Sequence, residues 1–71
     1  MESRVYKVIE IVGTSSESWE AATRAAVETA SKTLRDLRIA EVVKLDATIE
    51  DGKVTSFRAR LSVSFKYEGP E

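Results

Sequence analysis

The chain has 71 residues, enough for one domain whose core by itself gives only marginal stability. It contains neither cysteine nor histidine, which removes disulfides, thiolate chemistry, the usual general base near neutral pH and the commonest zinc ligand. Its formal net charge is -1 with acids and bases interspersed, so binding of nucleic acid through a broad basic surface is disfavoured.

In the first segment, VYKVIEIV, the alternation of side chains across a strand sends Val5, Ile9 and Ile11 one way and Tyr6, Val8 and Val12 the other. Both faces are apolar, and one helix covers only one of them. The other face is expected to meet a further copy of the chain. Next comes Gly13-Thr14-Ser15-Ser16-Glu17, where a chain-reversing glycine precedes several possible caps and Thr14 and Glu17 stand at capping-box spacing. A helix is predicted to start there. Trp19, Ala22, Ala26, Ala30, Thr33 and Leu37 form its inward stripe, Glu17 and Glu20 lie early, and Lys32 and Arg35 lie late, as the helix dipole favours.

Past Leu37 the period becomes that of a strand, through Ile39, Val43, Leu45, Ala47 and Ile49, and the adjacent Val42 and Val43 suggest a bulge. Glu50-Asp51-Gly52-Lys53 reads as a hairpin turn. The last strand alternates cleanly. Phe57, Ala59, Leu61, Val63, Phe65 and Tyr67 make an apolar face, and Ser56, Arg58, Arg60, Ser62, Ser64 and Lys66 a polar one. The resulting fold class is α+β, in the order β-α-β-β: a three-stranded antiparallel sheet wrapped over one helix. The pattern leaves open which strand the first one pairs with. A single domain is expected over 1–71, ordered from about residue 4 to residue 68 and closed by a short tail at 69–71. No apolar run approaches the ~20 residues that cross a bilayer, so no membrane association is expected, and Met1 followed by Glu2, Ser3 and Arg4 suits a cytoplasmic protein.

The element order, the block VYKVIEIVGTSSESWEAA, the later AEVV and the closing VSFKYE together resemble the dodecin family over about Val5 to Glu68. The resemblance implies a hollow homododecamer that holds a small molecule rather than turning it over. In flavin-binding members a Trp at the helix-to-strand junction stacks on the isoalloxazine ring and a Gln in the last strand bonds its edge. The resemblance puts Ile39 at the Trp position, with Arg38 beside it, and Arg58 at the Gln position. Ile39 has no π-face, and Arg58 offers donors only.

The sequence is more similar to the branch without the stacking Trp, some members of which are described as calcium dodecins. Calcium requires roughly six to eight hard oxygen ligands, and the DATIEDG segment suits a strand and turn better than a calcium loop. A calcium site is expected to be shared between subunits, with Glu17 and Asp46 as its candidate ligands. The leading expectation is a non-catalytic homododecameric shell that binds, stores or buffers a small ligand or ion through an altered flavin site. The alternatives are a shell that binds and stores flavin (riboflavin or FMN) and a purely structural assembly.

Overall fold

A computed structural model describes residues 3–67; the tail expected at 69–71 lies outside them. The elements are β1 (Tyr6–Ser15), α1 (Trp19–Ala30), β2 (Leu37–Glu50) and β3 (Lys53–Lys66). They form a three-stranded antiparallel sheet in the order β1-β3-β2, which settles the pairing that the pattern left open. β3 belongs in the middle because its alternation is the most regular, with one face for the core and one polar face.

The helix lies on a saddle of small residues. Gly13 of β1 is level with Ala59 of β3, and Ala22 and Ala26 of α1 come down on this pair. A Cβ at Gly13 would collide with the Ala22 carbonyl and lie 2.8 Å from the Ala26 Cβ, so only glycine permits this approach. Among the described residues Ala22, Ala26, Ala59, Leu61 and Val63 are the buried hydrophobic ones, and Ile9, Ile11, Val27 and Leu37 pack around them.

Several local expectations change. Strand pairing carries β1 on to Ser15, level with Phe57, so Thr14 lies inside the strand and no Thr14–Glu17 capping box forms. The N-cap is Ser18, whose hydroxyl oxygen accepts from the Ala21 N–H at 3.0 Å. At its other end α1 stops at Ala30, so Thr33 and Leu37 are not on its stripe, and Lys32 and Arg35 are not in its last turn. Hydroxyl residues compete for the final carbonyls: Ser31 Oγ donates to the Glu28 carbonyl and Thr33 Oγ1 to that of Ala30. Asp36, at φ 58°, then leads into β2 at Leu37. Val5, grouped with Ile9 and Ile11 by the alternation, precedes β1 and is exposed.

The bulge expected at Val42 and Val43 is present as a register shift between Val42 and Lys44, with further shifts between Leu37 and Ile39 and between Thr48 and Ile49. The Asp51-Gly52 turn takes positive φ at both residues, 52° and 75°, as a two-residue hairpin of this twist requires. Beyond Ser15, β1 has no residue to pair with β3, so the tip of the β2–β3 hairpin projects as a two-stranded arm. The chain is accordingly long, 56 × 20 × 17 Å, with a radius of gyration of 14.9 Å, against about 11 Å for a compact domain of this length.

Candidate functional site

The sheet face turned away from α1 carries the residues of interest. Each outward residue of β3 has a neighbour on either side, which arranges this face in rows: Val8–Ser64–Ile39, then Glu10–Ser62–Glu41, then Val12–Arg60–Lys44, then Thr14–Arg58–Asp46. Among the described residues nothing covers it. Val8 is 56% exposed, Val12 50% and Ile39 66%.

Ile39 and Arg38 come together at one end. With Arg4, Tyr6 and Ser64 they line an open pocket of about 300 Å³, whose apolar contributors are Tyr6 and Ile39 and whose charged ones are Arg4 and Arg38. Tyr6 belongs to this site although the residue pattern did not single it out. Its outward position was readable from the alternation of β1, but its proximity to Ile39 depends on the strand order.

Arg58 lies elsewhere. Ile39 is level with Ser64, six residues along β3 from Arg58, which corresponds to ~20 Å of extended strand. One copy of the chain therefore does not bring Ile39 and Arg58 together. Arg58 instead holds Asp46 side-on: its Nε donates to one carboxylate oxygen at 2.7 Å and its Nη2 to the other at 2.8 Å. These hydrogen bonds from Arg58 hold the Asp46 carboxyl below its ordinary 3.8, against a smaller opposing effect of burial and with help from the charges of Arg58, Lys44 and Arg60. The same pair raises Arg58 above its usual range.

Among the described residues the two candidate metal ligands do not form a cation site. Both Asp46 oxygens are engaged by a guanidinium, and Glu17 lies just before the N-cap with its backbone N–H donating to Ser15 Oγ at 2.9 Å. Among the described residues no group of three or more Asp or Glu side chains is placed to hold a metal ion. Trp19, the first residue of α1, ties the helix to the sheet: its Nε1–H donates to the Asp46 carbonyl at 2.9 Å, and its ring meets Phe57 edge-on at 4.9 Å. No described helix is long and apolar enough to cross a membrane.

The family model for dodecin matches residues 5–68. Calcium dodecin of Mycobacterium tuberculosis is 44% identical over 62 residues, covering 87% of each chain. Dodecin of Thermus thermophilus is 45% identical over 65 residues, covering 92% of this chain and 94% of that one. Among solved structures, dodecin from Streptomyces coelicolor superposes with a TM-score of 0.92 at 40% identity, covering 99% of this chain and all of the other. The residue patterns, the β-α-β-β order and these matches agree, and the chain belongs to the dodecin family.

Proposed function

We propose that this protein is the subunit of a homododecameric, non-catalytic shell that binds and buffers a small ligand or ion where its copies meet. The observation that carries this reading is the amount of surface one copy leaves bare. Its accessible surface is 5658 Å², whereas a folded monomer of its mass has about 4,400 Å². Exposed apolar residues lie in two places: the outward sheet face, and the helix-side face of β2, where Val42 and Leu45 are 46% and 48% exposed because α1 sits over β1 and β3. Pairing with other copies covers such surfaces.

The pocket at Ile39 and Arg38 opens onto this uncovered face, so a neighbouring copy completes it. Since Ile39 and Arg58 are far apart within one chain, a single ligand touches both only if they come from different copies. The apolar residue at the stacking position weakens flavin binding relative to an aromatic one. Tyr6 in the same pocket supports flavin storage as the second reading, because it supplies a ring where Ile39 does not.

An ion is the other candidate cargo, in view of the similarity to calcium dodecin. Within one chain the donor set does not fit calcium, since Asp46 is committed to Arg58 and no acidic cluster surrounds it among the described residues. A calcium site in this protein therefore takes carboxylates, Glu17 among the candidates, from more than one copy.

Sedimentation equilibrium combined with riboflavin fluorescence titration tests the proposal. A species of twelve subunits with little or no flavin quenching is expected. A monomer at micromolar concentration would refute the shell, and saturating quenching at micromolar flavin would replace the leading reading with flavin storage. Melting with calcium and then with chelator decides the ion, since a bound ion raises the transition temperature.

A further inference from the structure

We infer that Lys44, Arg60 and Arg58 form a binding site for a small molecule bearing two linked phosphate groups. This deepens the ligand-binding reading above, on which it rests, by naming the chemistry of the ligand. Lys44 and Arg60 are directly opposite each other on β2 and β3, so two cations face outward side by side. Like charges in that arrangement repel. Among the described residues no carboxylate is within ion-pair distance of either one, and the nearby Asp46 is already held by Arg58 through two hydrogen bonds.

Arg58 precedes Arg60 by two residues on the same face, about 7 Å along the strand. That step suits the second phosphate of a diphosphate. Asp46 takes Nε and one Nη2 hydrogen of Arg58 and leaves Nη1 outside the pair, so the carboxylate orients the guanidinium while donors remain for a ligand. Thr14, level with Arg58 on β1, adds a hydroxyl at the end of the row. The effects on Asp46 agree with this layout, because Lys44 and Arg60 as well as Arg58 act on its charge.

The neighbouring row limits the size of the ligand. Glu10 and Glu41 flank Ser62 immediately beyond Arg60 and Lys44, and they repel an anion that extends that way. A diphosphate fits between this acidic row and the hairpin arm, whereas a nucleic-acid backbone does not.

Calorimetric titration of the full chain with inorganic pyrophosphate, and with inorganic phosphate for comparison, tests the site. Pyrophosphate is expected to bind once per chain, more tightly than phosphate, and to weaken as salt is raised. Replacing both cations, Lys44→Ser with Arg60→Ser, should weaken binding at least about tenfold, while Lys53→Ser at the hairpin turn should leave it unchanged. Circular dichroism of each variant confirms that it has folded. If a folded double variant binds as the wild type does, the site is wrong. If the wild type gives no heat and the double variant dissociates in sedimentation, the two cations pair with acids of another copy, and the inference is overturned. A monomer that still binds pyrophosphate would remove the shell and leave this site standing.

Discussion

At the scale of single residues, what the sequence made legible was chemistry type, and what it hid was pairing. Arg58 stood out in the alternation of β3, and Asp46 as a candidate carboxylate ligand. That the two hold each other depends on the β2–β3 register, which the Val42–Lys44 bulge shifts by one residue. The pair gives a pH dependence of known sign. Asp46 has its folded pKa lowered, so it stabilises the fold above the ordinary carboxylate value, and that contribution disappears as pH falls through the lowered value. Melting curves of the wild type and Asp46→Asn should therefore differ by a constant amount near neutrality and converge below pH 3.8, the ordinary value. A difference that does not shrink as pH falls below 3.8 would mean that the charge of Asp46 is not the cause. Gly13 is a different kind of residue. It read as a chain-reversing glycine, but it lies within β1, where its missing side chain admits the helix. The obstacle to Gly13→Ala is helix backbone, which cannot swing aside, so a loss of about 3 kcal/mol or more is expected in urea unfolding.

Elements were legible where one period ruled and illegible at their ends. The β3 alternation, the Asp51-Gly52 turn and the inward Ala22–Ala26 stripe needed only local information, and all are present. The helix start was misplaced because Thr14 through Ser18 offers four hydroxyl caps in five positions, and long-range pairing decided among them. By holding Thr14 and Ser15 against Arg58 and Phe57, β3 passes the capping role to Ser18. Ser18→Ala should cost about 1 kcal/mol, whereas Thr14→Ala should leave the helix signal in circular dichroism and its thermal midpoint nearly unchanged. Equal losses at the two positions would argue against the Ser18 cap. The link between α1 and β2 was also out of reach of the pattern: Trp19 read as part of the inward stripe of the helix, and its hydrogen bond to the Asp46 carbonyl spans 27 positions of sequence.

For the molecule as a whole, the doubly apolar first strand pointed to copies, and the structure adds a second uncovered surface that the strand pattern could not reveal. One 12-residue helix cannot roof a sheet whose longer strands have 14 residues, so the helix-side face of β2 stays bare at Val42 and Leu45. This allows stability of the subunit to be separated from stability of the assembly. In an isolated chain, Val42→Lys places a cation on a surface that is already wet and should shift stability by no more than about 0.5 kcal/mol. In an assembly that covers β2, the same change buries an unpaired charge, at a cost of several kcal/mol on the general scale of such burial. The variant is therefore expected to sediment as smaller species, and its melting temperature should fall with dilution more steeply than that of the wild type, as it does when folding and association are linked. Arg24→Glu, on the exposed side of α1 away from both bare surfaces, is the matched control and should assemble normally. If Val42→Lys assembles as well as this control, β2 is not covered by another copy, and the bare surface must be accounted for by the outward face alone.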